Sequence, residues 1–148
     1  MIILDTNIIS EMMKQNPASK VFNWLNQQDT LKLFITTITI AEISYGINAL
    51  PPGKRQISLA DAFNKLIKAA FKHRIAPFDE AAAHQYGKLM SLRKELGRPL
   101  SILDGQIAAI ALTQGKAVAT RNIRDFSDTG LELINPFEWV GITDKNTV

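Results

Sequence analysis

The sequence predicts an α/β protein with a central, mainly parallel sheet covered by helices on both faces. Three observations carry that expectation. Short apolar runs, IIL at 2–4, LKLFITT at 31–37 and KAVAT at 116–120, are separated by longer segments of helical spacing. The first run is wholly apolar and ends at an acid, as a strand buried on both faces does. At 148 residues, with 46% apolar and 21% charged, the chain has the length and composition of one globular domain spanning 1–148.

The elements follow in order. IIL is a buried strand, and DTNIISEMM starts a helix that Pro17 interrupts. SKVFNWLNQQ is a second helix, with Val21, Phe22, Trp24 and Leu25 as its apolar face. LKLFITT is rich in β-formers, and ITIAEISYGINAL restores helical spacing until PPG at 51–53 punctuates the chain. Residues 54–73 form a basic amphipathic helix with Leu59, Phe63, Leu66, Ile67, Ala70 and Phe71 on one face. RIAPF is a short strand. DEAAAHQYGKLMSLRKELG is a helix with acids at its start and Gly97 at its end. SILDGQIAAIALTQG is another, closing on Gly115. KAVAT is a strand, RNIRDFSDTG a polar loop and LELI a last strand, and the tail after about 141 should fray. There is no repeat, linker or low-complexity stretch.

Composition removes several functions. Without cysteine the chain has no disulfide scaffold, thiolate zinc site or cysteine nucleophile. MIILDTN lacks the basic start and long apolar stretch of a signal peptide. No run approaches the roughly 18 apolar residues of a membrane helix. The expected location is cytoplasmic, away from membranes. The net charge of +3 is unevenly spread: Lys54 to Arg98 holds ten Lys/Arg against four Asp/Glu, while both flanks are slightly acidic. A basic middle beside acidic flanks suits a polyanion reached through metal ions; a solvated helix face gives the same pattern.

Four acids stand where an apolar run ends or a helix should begin: Asp5 in ILDTN, Glu42 in TIAEI, Asp104 in SILDGQIAA and Asp125 in TRNIRDF. A parallel sheet can gather them, because strand ends and helix starts share one edge. Clustered carboxylates repel, so their convergence makes sense around a divalent cation. Each also has a plain structural explanation. Asp5 suits a helix N-cap, Thr39-x-x-Glu42 and Ser101-x-x-Asp104 resemble capping boxes, and an Asp at 125 is ordinary in a polar loop. Capping and chemistry are compatible at a sheet edge.

The order LDTN, then AE in an apolar helix, then DGQIAA, then ATRNIRDF and a closing NPF resembles the PIN domain. More closely it resembles the VapC-type ribonuclease toxins of bacterial toxin–antitoxin pairs, including the FitB-like branch. The likeness spans Ile2 to about Phe137. It implies an α/β/α sandwich and a Mg²⁺- or Mn²⁺-dependent endoribonuclease, usually a homodimer, held inactive by a VapB-like antitoxin. The family's metal-binding acids fall on Asp5, Glu42 and Asp104. Some relatives carry an acid where this chain has Asn122, others an acid like Asp125. Asn122 cannot supply charge, so Asp125 is taken as the fourth acid with Asn122 as a neutral helper. Thr6 and Asn7 match the polar pair after the first Asp, and Thr120 the threonine before the last motif.

Phosphodiester hydrolysis needs an activated water and relief for the leaving oxygen, and a carboxylate-held divalent ion supplies both. Asp5 and Asp104 would be principal ligands, directly or through water. Glu42 would bind metal or orient the water, and Asp125 would complete a second metal site. Arg121 and Arg124 flank the last motif and are candidates for RNA phosphate. His73 and His84, both in helical segments, are surface or packing residues; Trp24 and Trp139 belong to core or interface. Two rivals stand. A haloacid-dehalogenase-like phosphatase wants a second acid where this chain has Asn7. A catalytically inactive, nucleic-acid-binding PIN-like regulator would have lost an acid, yet Asp5, Glu42 and Asp104 are all present.

Overall fold

A computed structural model describes residues 1–141; the stretch expected to fray, 142–148, lies outside the described residues. Five strands make the sheet: β1 (Ile2–Leu4), β2 (Leu33–Thr36), β3 (Ile75–Ala76), β4 (Ala117–Ala119) and β5 (Leu133–Ile134). Six helices surround it: α1 (Thr6–Met12), α2 (Ser19–Asn26), α3 (Thr37–Asn48), α4 (Lys54–Ala70), α5 (Glu80–Glu95) and α6 (Ile102–Gln114). Single 3₁₀ turns occupy Thr30–Lys32 and Pro136–Glu138.

The strands run parallel in the order β3-β2-β1-β4-β5. The chain first adds β2 and β3 on one side of β1, then crosses to place β4 and β5 on the other. That reversal opens a crevice beyond the carboxyl ends of β1 and β4, the usual ligand position in an open α/β sheet. Alternation along each strand fills both faces. Leu4, Leu33, Ile35 and Ala119 pack with the first four helices, while Ile3, Ala76 and Val118 pack with α5 and α6.

Helix ends follow the sequence closely. Asp79 caps α5 by accepting from Ala82 N–H, and Ser101 caps α6 by accepting from Asp104 N–H. Gly97 and Gly115 lie at φ 70° and 63°, where a β-carbon would strain the turn. The middle of α6, residues 107–111, is wholly apolar and buried against α5 and the sheet, and Gly105 sets how closely α5 approaches. A Cβ there would lie 2.6 Å from Met90 Sδ and 3.0 Å from Tyr86 Cε2.

Several expectations need correction. Phe22 is 53% exposed, whereas Val21 and Trp24 are buried. Val21, Trp24 and Leu25 share a face at i, i+3 and i+4, and Phe22 lies about 100° away. His73 is not helical: α4 ends at Ala70, and His73 takes φ 65° in the turn that redirects the chain into β3. The strands in RIAPF and LELI shrink to two residues each, and Pro77, which has no N–H, follows β3 directly. Thr39 does not cap α3. Thr36 does, by accepting from Thr39 N–H at 3.1 Å, which moves Glu42 into the body of the helix.

Candidate active site

The site is built outward from Asp5. β1 is the central strand, so the residue that ends it is held deep: Asp5 is only 3% exposed. Its N–H continues the ladder to the Ala119 carbonyl at 2.9 Å. One carboxylate oxygen caps α1 by accepting from Thr6 N–H at 2.8 Å. The other accepts from Thr120 Oγ1 at 2.8 Å and from Asn7 Nδ2 at 3.3 Å. One carboxylate thus both caps α1 and is fixed in the site.

Thr120 follows β4, next to β1 in the sheet, and is buried. Its one hydroxyl proton goes to Asp5, and its lone pairs accept from Asn122 N–H at 3.0 Å and Asn7 Nδ2 at 3.4 Å. Asn7 Oδ1 in turn accepts from Arg121 N–H at 3.2 Å. Residues more than a hundred positions apart therefore lock the start of α1 to the loop after β4. Arg93 anchors the far end of that loop: buried on α5, it donates to the Arg98 carbonyl at 2.6 Å and to the Ser127 carbonyl.

Glu42 and Asp104 enter from α3 and α6. Glu42 is half-buried, and its Oε1 accepts from Thr6 Oγ1 at 2.9 Å. Asp104 sits in the first turn of α6, held by the Ser101 cap and by the close packing at Gly105. The three acids line one cavity of about 420 Å³ together with Thr6, Asn7 and Asn122.

Electrostatics mark this cavity. Burial pushes Asp5 from 3.8 up to about 6; the bonds from Thr120 and Thr6 oppose the rise, and repulsion from Asp104 and Glu42 adds to it. Burial also raises Glu42, with Asp104 adding repulsion, and it raises Asp104, with Asp125 adding repulsion. Three carboxyls all displaced toward the neutral form signal negative charge held without compensation.

Sequence reasoning missed part of the lining: Ser10, Glu11, Lys14 and Phe137. Glu11 is buried and tied to Lys14 Nζ at 2.8 Å and to Ala18 N–H at 2.8 Å. Lys14 and then the Ala18 bond hold its carboxyl below the usual range, so it behaves as a structural anion. A spacing signal was available, because Ser10, Glu11 and Lys14 follow Asn7 at i+3, i+4 and i+7, on one face of the helix. Lys14 and Arg121 put positive charge on the rim, and Arg121 stacks 4.6 Å above the Phe137 ring.

Asp125 stands apart from the other acids. It is exposed and lines an adjoining cleft of about 400 Å³ with Arg93, Arg98, Ser101 and Arg124; Asp104 belongs to both spaces. Asn122, rather than Asp125, faces the main cavity. Of the basic middle segment, Arg55 lines a groove that meets the cavity at Thr6, Ser10, Lys14 and Glu42.

Among the described residues, no group of three or more His, Asp or Glu is arranged to hold a metal ion. The donor set is all hard oxygen, in a cavity with room for water. That suits a strongly hydrated divalent cation such as Mg²⁺, which keeps several waters, rather than a fully protein-ligated one.

A doubly covered parallel sheet that gathers acids from the cap of α1, the body of α3 and the first turn of α6 at its switch point is an α/β domain with an acidic site at that edge. The chain belongs to the PIN domain family, whose model matches residues 2–131. It is 39% identical over 138 residues to the VapC ribonuclease Y4jK of Sinorhizobium fredii, covering 93% of this chain and 99% of that one. It is 35% identical over 137 residues to the toxin FitB of Neisseria gonorrhoeae, with the same coverages of 93% and 99%. The solved FitAB complex bound to the IR36 DNA fragment superposes with a TM-score of 0.88 at 34% identity, covering 97% of this chain and 100% of that one. Its homologues are thus VapC-type PIN ribonucleases and toxins of toxin–antitoxin systems, and they place it among nucleases. No helix among the described residues is long and apolar enough to cross a membrane.

Proposed function

We propose that the chain is the ribonuclease toxin of a toxin–antitoxin pair, cutting RNA internally with Mg²⁺ or Mn²⁺, and that a VapB-like antitoxin holds it inactive in the cytoplasm. A homodimer is part of the same proposal. The observation that carries it is the convergence of Asp5, Glu42 and Asp104 on one cavity, each with its carboxyl raised. The relatives named VapC ribonuclease and toxin FitB support the substrate and the biological role.

In this reading Asp5 and Asp104 hold the cation, in part through its water shell, and Glu42 binds it or orients the attacking water. An ion held there supplies Lewis acidity, lowering the pKa of water and screening the phosphate. The protein's part is positioning. Thr120, Asn7 and Thr6 N–H aim the Asp5 carboxylate, and the Ser101 cap fixes Asp104. Lys14, Arg121 and Arg124 offer positive charge for the flanking RNA backbone. Asp125 acts as the fourth acid from the side cleft, through its charge beside Asp104, and Asn122 contributes a neutral polar group.

The direct experiment incubates purified protein with RNA in Mg²⁺, in Mn²⁺ and in chelator. Internal cleavage that needs the ion and falls by roughly 10²-fold or more in a folded Asp104→Asn variant is expected. Cleavage undiminished in chelator would refute the metal-dependent reading. Expression without antitoxin should arrest bacterial growth, with relief by Asp5→Ala.

A further inference from the structure

Behind the cavity lies a line of threonine hydroxyls that neither the acids nor their metal chemistry accounts for. Thr6 Oγ1 donates to Glu42 Oε1 at 2.9 Å and also lies 2.9 Å from Thr39 Oγ1. Thr36 Oγ1 donates to Thr39 Oγ1 at 3.4 Å and accepts from Thr39 N–H at 3.1 Å. Thr36 and Thr39 are both fully buried.

A hydroxyl owns one proton, and that single fact orders the line. Thr6 gives its proton to Glu42, so in the Thr6–Thr39 contact it can only accept. Thr39 must then be the donor to Thr6, and the proton between Thr36 and Thr39 must come from Thr36. Thr36 in turn has a lone pair for Thr39 N–H, which it receives. The chain runs one way, Thr36 to Thr39 to Thr6 to Glu42, and every member is satisfied. Among the described residues, Thr6 is the side chain that donates to the Glu42 carboxylate. The orientation of Glu42 therefore depends on the Thr6 rotamer, and that depends on Thr39.

We propose that Thr39, backed by Thr36, is a positioning residue for Glu42: it directs the Thr6 hydroxyl proton onto the carboxylate and holds that acid in its working orientation. The inference rests on Glu42 acting in the ribonuclease site described above. The elements support it. Thr36 ends β2, Thr39 lies in the first turn of α3 one turn before Glu42, and Thr6 opens α1. The chain thus joins the two helices that bring Asp5 and Glu42 together. Donors aligned in sequence also polarise one another, strengthening the last bond to the anion.

Thr39 is the residue to change, because Thr36 also caps α3 and its loss would damage the fold. Thr39→Val keeps the shape and removes the hydroxyl; Thr39→Ser restores it. With a short RNA and saturating Mg²⁺, Thr39→Val should lower kcat about tenfold with KM little changed, and Thr39→Ser should recover it to within about twofold. In a Glu42→Gln background, Thr39→Val should add no further loss, the mark of residues acting through one another. Calorimetry should show Mn²⁺ binding weakened in Thr39→Val without any cleavage being measured. The proposal is overturned if folded Thr39→Val keeps parental kcat and Mn²⁺ affinity, if Thr39→Ser is as impaired as Thr39→Val, or if Thr39→Val costs as much with Gln at 42. A parent that cleaves no RNA with metal would instead sink the ribonuclease reading, and the Mn²⁺ affinities would still decide the role of Thr39.

Discussion

Replacing Asp5 with asparagine should make the metal-free protein more stable while abolishing its response to divalent ions. The magnitude follows from burial. The Asp5 carboxyl titrates at about 6 in the fold against 3.8 ordinarily. At 1.36 kcal/mol per pKa unit, keeping it ionised at neutral pH costs the fold about 3 kcal/mol. Because the folded state binds this proton more tightly than the unfolded state, stability from this group falls as pH rises from 3.8 to about 6, and the full penalty persists above. Asparagine removes the charge but returns part of the gain. Thr6 N–H, Thr120 Oγ1 and Asn7 Nδ2 all donate to Asp5, so an amide NH₂ would face a donor. That mismatch costs about 1–2 kcal/mol. The net expectation is a gain of about 1–2 kcal/mol at neutral pH in chelator, or roughly 2–8 °C in Tm for a domain of this size. Calorimetric melts at neutral pH and near pH 4, with chelator or with millimolar Mg²⁺, test it. The advantage of asparagine should vanish near pH 4, where the parent carboxyl is protonated. Mg²⁺ should raise the parental Tm by mass action and leave the variant unmoved. A variant that melts below the parent at neutral pH in chelator would refute the claim of strained charge. An equal Mg²⁺-induced rise in both would place the ion elsewhere.

The fourth acidic position gives a second test. Asp125→Asn should lower RNA cleavage about tenfold, less than Asp104→Asn, since Asp125 reaches the site only through the side cleft. Asn122→Ala should cost less still, and Asn122→Asp, which puts a new acid on the main cavity, should be tolerated and tighten Mn²⁺ binding in calorimetry. If Asn122→Ala abolishes cleavage while Asp125→Asn leaves it intact, the fourth position belongs to residue 122. Gly105→Ala should destabilise the fold by about 1–3 kcal/mol, because its methyl meets Met90 and Tyr86; an unchanged melting curve would mean that α5 yields freely.

Much of this protein was legible before any coordinates. Apolar runs and helical spacing gave the strands, helices and parallel sheet, because period and burial are properties of local sequence. Ser101, Asp79, Gly97 and Gly115 marked helix ends for equally local reasons: a free N–H to satisfy, or a φ that only glycine adopts easily. The acids Asp5, Glu42 and Asp104 could be named from their motifs. Tertiary structure decided the rest. Only the strand order places Thr120 beside Asp5, so that one carboxylate serves both cap and site. The start of α3 at the Thr36 cap leaves Glu42 inside the helix, and only helix packing sets Thr39 against Thr6. The same packing sends Asp125 to a side cleft and brings Glu11 and Lys14 to the cavity wall. The physical reason is range. Caps, turns and periodicity are settled by neighbours within a helical turn, whereas the pKa and partners of a buried carboxylate depend on which distant elements the sheet sets side by side.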